Sequence, residues 1–422
     1  MIRILLTFLF FSISFAQETG SRMSLLFMGD VMGHIPQVEG AYNADNKQYD
    51  YMPVFDKIKH KFAQVDFAIA NLEVTLAGKP YKGYPQFSSP DALAAACRDS
   101  GIDVLVTANN HTCDRGKKGI IRTLNVLDSL KIAHTGTFRN KAEFDKKNLL
   151  VLSKNGISVG ILNYTYGTNG LPVPEPTVVN RIDLNLMKQD IEKAKKAQLD
   201  KLIVVIHWGI EYQQKQNKNQ EEVAQFLFDN GVDIIIGGHP HVLQPMYYYP
   251  QTGLHKEQLV VYSLGNFISN QRKSPSDGGA MVELTLFKDA RGTHIADKGY
   301  YLVWVNRTLK TNKKYLFEIL PCKEYETASY KELSETAKDS MNIFGALLSK
   351  GLYNTIMWGI VLVLAVLLIF YIYRYANGNV VTKKSISDLA ELQEEYENYR
   401  KAAIEREQKV RRQLQDEINK HR

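Results

Sequence analysis

Six apolar runs in this chain each deliver, just past their carboxyl ends, a residue able to bind a metal ion or carry a proton. SLLFMGD ends in Asp30, VDFAIANLE in Glu73, and VLVTANNH in Asn110 and His111. LIVVIHWGIE supplies His207 and Glu211, DIIIGGHPH supplies His239 and His241, and VVYSLGNF supplies Asn266. Asp, Glu, Asn and His are oxygen and imidazole ligands suited to Mn²⁺, Fe or Zn²⁺. A site built from them would clamp a phosphate-like oxyanion and lower the pKa of a bound water. Gly29, Gly209, Gly237, Gly238 and Gly265 flank these residues and would permit tight turns and close backbone approach to a bound anion.

Taken singly, these residues have blander explanations. A lone histidine such as His207 is more often a satisfied structural group, Asp30 after Gly29 suits a turn or a helix cap, and Asn109 and Asn110 suit a turn. His239-Pro240-His241 is harder to dismiss, because alternate residues of an extended backbone point to one side. Six coincidences together point to a metal site.

Positioning such a set needs parallel strands whose carboxyl ends converge on one crevice. Strands are expected at residues 25–28, 67–70, 104–107, 159–162, 202–206, 233–236 and 259–262. Helical patterns over 91–100, 119–130, 185–197 and 220–230 lie between them. Continuous apolar strands separated by helices predict an α/β fold with a buried, largely parallel sheet. Alternation in Met281-Val282-Glu283-Leu284-Thr285-Leu286 predicts antiparallel strands over 280–305. LPVPEP at 171–176 reads as a stiff loop.

The motifs GDVMGH from Gly29, NLEVTL from Asn71, TANNHTCDRG from Thr107, HWGIEY from His207, GGHPHVLQP from Gly237 and YSLGNF from Tyr262 resemble those of the CapA/PgsA-like capsule or poly-γ-glutamate biosynthesis family. That family is similar to calcineurin-like metallophosphoesterases. The resemblance implies a β-sandwich of two mixed sheets flanked by helices, with metals at one edge. It groups Asp30 and His241 at a first metal, with Glu73 bridging, and Asn110, His207 and His239 at a second. It makes His111 the general acid and gives Glu211 a part in orienting His207 or binding substrate. His34, Asn109 and Asn266 would line the substrate pocket. The sequence departs from the superfamily at two motifs: Asp-x-His is replaced by Asp30 with His34 four residues on, and the bridging GDxxD by NLE. The implied cofactor is therefore one or two divalent ions.

Two further runs lack any site chemistry. Residues 1–16, MIRILLTFLFFSISFA, read as a secretory signal cleaved before Gln17. Residues 357–373, MWGIVLVLAVLLIFYIY, carry no charge and are long enough to span a bilayer. Trp358 stands near one end, with Tyr371, Tyr373 and Tyr375 at the other. The expected organisation is a signal at 1–16, a metallophosphatase domain at 23–325, a stalk at 326–355, a membrane helix at 356–374 and a cytosolic tail at 375–422. The large domain would lie outside the cytosol. In the tail, Leu389, Leu392, Tyr396, Tyr399 and Ala403 keep 3/4 spacing for two heptads before Arg406 breaks it, which leaves a solvated helix and a dimerisation helix both open.

The net charge is +7. Setting aside residues 1–16 (one base) and 374–422 (eleven bases, nine acids) leaves +4 on the exported part, too balanced for a polybasic nucleic-acid binder. Three cysteines exclude a disulfide scaffold. Cys97 suits a helix core, Cys113 a small buried thiol or a reactive one, and Cys322 no chemistry. Tyr247-Tyr248-Tyr249 reads either as a stacking wall or as a partly buried strand. The functional expectation is a membrane-anchored, extracytoplasmic phosphoesterase-type hydrolase linked to capsule or poly-γ-glutamate synthesis. The rival is a non-catalytic subunit that binds an anionic polymer beside membrane synthase subunits, and a third is a signalling anchor using the tail.

Overall fold

The computed structural model describes residues 20–322 except 253–255, 274 and 311–312. The expected signal, stalk, membrane helix and tail lie outside the described residues. Among the described residues, no helix is long and apolar enough to cross a membrane.

Two mixed sheets face one another. The first runs Tyr315–Pro321, Gly292–Leu309, Gly278–Asp289, Ser21–Val31, Phe67–Leu72, Val104–Val106 and Ala133–Thr135, with Asn266–Ile268 paired beside the end of Ser21–Val31. The second runs Leu243–Tyr249, Gln258–Leu264, Ile234–Gly238, Lys201–His207, Ile157–Thr165 and Leu150–Lys154. In each sheet the strands that end at the site are parallel neighbours; antiparallel strands occupy both flanks of the second sheet and one flank of the first, whose other edge, Ala133–Thr135, is parallel. The expected parallel reading therefore applies to the centre of the second sheet and to one half of the first. The alternation at 281–286 pairs antiparallel with 295–301, as expected.

Strand periodicity sorts the core into layers. Leu25 and Phe27 face between the sheets, where they join Ile69, Val159, Ile203 and Val261. Leu26 and Met28 point the other way, onto Phe55, Leu93, Cys97 and Leu127 of the helical layer. Across the molecule, Leu202, Val204 and Ile206 pack on Met187, Ile191, Val223 and Leu227. Both faces of the central strands are thus covered, which is why their sequences read as unbroken apolar runs. Helices Asp91–Ser100, Gly116–Ser129, Leu184–Lys196 and Lys218–Asp229 stand where the 3.6-residue patterns placed them. Asp183 and Asn217 cap the last two through their side chains.

Shorter strands escaped the sequence patterns. Val151, Ser153 and Lys154 in Leu150–Lys154 are exposed, as befits a sheet edge, so the run carries little apolar signal. The three tyrosines belong to strand Leu243–Tyr249. All three cysteines are buried, Cys97 in its helix.

Candidate metal centre

Register brings the first residues together. Asp30 lies opposite both Asn71 and Asn266 on neighbouring parallel strands. Glu73 comes directly after Phe67–Leu72, and its N–H donates to Val31 O at 3.0 Å. In the facing sheet His207 is the last residue of its strand and pairs with Gly238. His239 and His241 then turn back over the strand ends.

That turn is not extended. His239 and His241 adopt φ of +98° and +57°. Both rings reach the site, with centroids 6.0 Å apart, through a left-handed turn and not through strand alternation. Each such residue costs roughly 1–3 kcal/mol, a strain characteristic of functional sites. Of the flanking glycines, Gly209 and Gly265 take the tight turns expected of them, with φ of +90° and +69°, and others serve close packing. A Cβ on Gly29 would sit 1.9 Å from Gly265 O, and one on Gly238 would sit 2.9 Å from Asp30 Oδ1. Their bareness lets strand ends and the Asp30 carboxylate crowd together.

Asp30, Glu73, Asn110, His207, His239 and His241 form one buried cluster. His207 Nε2 stands 3.4 Å from Glu73 Oε1, and His241 Nε2 stands 3.8 Å from it. Asp30 Oδ2 lies 3.3 Å from His241 Nδ1, and Asp30 Oδ1 accepts from Asn71 Nδ2 at 2.8 Å. Two sets have ligand atoms within 4.8 Å of one another: Asp30, Glu73 and His207, and Glu73, His239 and His241. Glu73 belongs to both, where a bridging carboxylate was expected. The pairs grouped by the resemblance are close as well: His241 Nδ1 lies 3.3 Å from Asp30 Oδ2, and the rings of His207 and His239 lie 4.8 Å apart.

The donor set fits a divalent ion. Both Glu73 carboxylate oxygens and His239 Nδ1 are buried without a hydrogen-bond partner. Buried polar atoms are seldom left so, and a cation would satisfy all three. His241 Nδ1 donates to Asn266 Oδ1 at 3.1 Å, which leaves Nε2 for a ligand.

The electrostatics agree with the geometry. Burial opposes ionisation of Asp30, but its bond to His241 and the fields of His207 and His241 outweigh burial and hold the carboxyl well below the usual range. Burial likewise disfavours protonated His241, but Glu73 and Asp30 push it up to about 9. Burial, then His207 and His241, drives His239 well below its ordinary value. Asp30 and His241, 3.3 Å apart, thus favour each other's charged forms.

His111 stands beside this cluster. Its Nδ1–H donates to Asp114 Oδ2 at 2.8 Å, and Asp114 also accepts from Phe87 N at 2.7 Å. Burial lowers the His111 pKa, but the Asp114 bond and the Glu73 field outweigh it and raise it. Asn110 Oδ1 accepts from His207 Nε2 at 2.9 Å.

Other expected site residues take supporting places. Asn109 spends its side chain on Asn71 Oδ1, Leu72 O and His111 N, which makes it a bracket for the loop with nothing left for substrate. Asn266 is similarly committed to His241, Gln271 and Ser276. Glu211 is exposed, whereas His207 takes its bonds from Asn71 and Asn110, so Glu211 does not orient that ring. His34 is half-buried, near Gln37 at 3.1 Å, and belongs to neither ligand set; burial pushes its pKa down to about 4.

Three contributors went unread in the sequence. Asn71 bridges Asp30 and His207, and its signal is the two-residue spacing to Glu73. Asp114 lies one helical turn beyond His111. Asn163 accepts from Thr107 N and Ala108 N at 3.2 and 2.7 Å and donates to Val205 O at 3.0 Å, fastening the loop before Asn109 to the second sheet. Nothing local marks it.

The chain is similar to several known proteins. The capsule biosynthesis protein CapA of Bacillus anthracis is 28% identical over 289 residues, covering 65% of this chain and 66% of that protein. The PGA biosynthesis protein CapA of Bacillus subtilis (strain 168) is 29% identical over 282 residues, covering 64% and 69%. The chain thus spans slightly less than two thirds of the first relative. The solved structure of the calcineurin-like phosphoesterase YfkN from Bacillus subtilis aligns with 14% identity and a TM-score of 0.40, covering 76% of this chain and 96% of that one. The model of the bacterial capsule synthesis protein PGA_cap family matches residues 24–271, more than half of the chain and every strand end from Asp30 to Asn266. The chain therefore belongs to the bacterial capsule synthesis protein PGA_cap family.

Proposed function

We propose that this protein is a membrane-anchored, extracytoplasmic, metal-dependent hydrolase of the phosphoesterase type that serves capsule or poly-γ-glutamate synthesis. The observation that carries the reading is Glu73, a fully buried carboxylate with neither oxygen hydrogen-bonded, shared by two histidine-containing ligand sets. The names of the relatives support the biosynthetic context. The apolar runs at 1–16 and 357–373 support export and anchoring.

Asp30, Glu73, Asn110, His207, His239 and His241 would hold one or two ions of the Mn²⁺, Fe or Zn²⁺ class. When bound, such ions supply Lewis acidity at a phosphoryl oxygen and favour ionisation of water. Asp114 fixes the His111 tautomer through Nδ1, so Nε2 is the atom that would hand a proton to the leaving oxygen. Asn266 fixes the His241 ring, and Asn109 fixes the loop bearing Asn110 and His111.

The test uses the full chain purified in detergent. Elemental analysis should find a divalent transition metal, and Mn²⁺ should support turnover of phosphodiester, phosphomonoester or γ-glutamyl substrates that disappears in His239→Ala. Absence of metal, or unchanged turnover in that variant, sinks the reading.

A second reading, consistent with the biosynthetic names of the two relatives, is an accessory subunit that binds an anionic polymer beside membrane synthase subunits, with the tail as coupling or dimerisation helix. Polymer production that survives His239→Ala and His241→Ala but fails without residues 375–422 would select it.

A further inference from the structure

Exposed apolar side chains gather around the cluster. Ile35, Tyr84, Tyr166, Ile210 and Tyr212 are all exposed; Ile35 opens the helix that follows His34, and the others lie on loops. Gly83 packs so closely on His34 and Ile35 that a Cβ there would sit 2.8 Å from Ile35 N, which draws the Tyr84 loop to the site. The Tyr166 ring lies 4.5 Å from that of His239 and nearly parallel to that of His207, at 6.4 Å and 13°. The Tyr212 ring lies 6.3 Å from that of His241. Both tyrosines keep about half their surface in solvent, 44% and 50%.

Tyr212 is held in place at a cost. Its φ is +67°, a left-handed conformation unfavourable for a bulky residue, and its N–H donates to Pro240 O at 2.8 Å. Burial of a half-exposed ring does not repay that strain, and strained residues of this kind cluster at ligand clamps. Acidic groups at hand include Glu211, exposed and next to Tyr212 in the chain, and Glu73 of the cluster itself. An apolar rim with acidic neighbours suits an uncharged ring better than a chain of carboxylates.

We propose that Tyr166 and Tyr212, with Tyr84 beside them, form the specificity subsite of this centre, and that its substrate is a phosphoester whose leaving group is an uncharged, ring-bearing moiety. The proposal rests on the phosphoesterase reading above.

Phenylphosphonate and methylphosphonate carry the same head group, resist hydrolysis and differ by the ring. They are titrated calorimetrically into the full chain loaded with Mn²⁺. The phenyl compound should bind about tenfold more tightly, the scale of two aromatic contacts. Tyr166→Ala and Tyr212→Ala should each shrink that ratio severalfold while moving methylphosphonate affinity less than about twofold, and Tyr212→Phe should preserve it. Tyr212→Gly, which tolerates the left-handed backbone, probes the same ring should the alanine variant not fold. Equal binding of the two compounds, or a ratio untouched in these variants, overturns the rim and leaves the phosphoesterase reading standing. Binding of neither overturns both. A γ-glutamate oligomer that binds more tightly than phenylphosphonate, and loses that affinity in the same variants, assigns the rim to the polymer and overturns the proposal.

Discussion

Glu73→Gln keeps the length of the side chain and removes its charge. Glu73 belongs to both close ligand sets, so one substitution weakens both. Loss of an outer partner of a metal ligand already costs about 10–100-fold in affinity, and a shared inner ligand should cost at least the upper end of that range. With free metal at 100 times the wild-type Kd, binding stabilises the fold by about 2.7 kcal/mol. At roughly 2–4 °C per kcal/mol for a domain of this scale, the wild-type Tm should rise by about 5–11 °C. The same metal concentration equals the Kd of a variant weakened about 100-fold, where the gain falls to about 0.4 kcal/mol, roughly 1–2 °C. The assay is differential scanning calorimetry with and without Mn²⁺, alongside elemental analysis. Glu211→Gln, exposed and outside both sets, is the comparator and should keep the full shift. A Glu73→Gln protein that retains its metal and a wild-type thermal shift would refute the bridging role.

Metal uptake should depend on pH through His241, pushed up to about 9. Below that pH a metal must displace its proton, so apparent affinity should rise up to about tenfold per pH unit and level off above it, and calorimetry in buffers of different ionisation heat should detect the released proton. The folded pKa exceeds the ordinary 6.5. In the metal-free protein the stability it contributes is therefore complete below about pH 6.5 and lost as pH rises through about 9, and a metal-free Tm flat across that window would contradict it. Asp114→Asn should lower kcat about 10²–10³-fold for esters with poor leaving groups and far less for nitrophenyl esters, with the basic limb of the pH profile moved downward. An equal loss for both ester types would argue against His111 as proton donor. Asn163→Leu orphans Ala108 N in the loop and Val205 O in the second sheet and should destabilise the protein by about 2–5 kcal/mol in urea unfolding; a change under about 1 kcal/mol would show that the loop does not need this bracket.

The sequence by itself determined the layers and the ligand types. Runs such as Leu202–Ile206 are apolar on both faces because helices cover one side and the opposite sheet the other, and that burial is written into every residue. Asp30, Glu73, Asn110 and His207 were legible because parallel strands carry the residues at their carboxyl ends into one crevice. Edge strands such as Leu150–Lys154 were not legible, since half-exposed positions carry no apolar imprint.

Only the tertiary structure decided which candidate ligands stand within reach of one another and which polar residues are spent on support. Asn109, Asn266 and Asp114 are of the same chemical kinds as the ligands, and composition cannot separate a ligand from the residue that holds it. The difference lies in hydrogen bonds made across distant strands, such as His241 to Asn266 and Asn163 to Thr107. The left-handed turns at His239 and His241 belong to the same class of fact. They oppose local backbone preference and persist because contacts between the two sheets outweigh the strain, a balance that no single segment of the sequence contains.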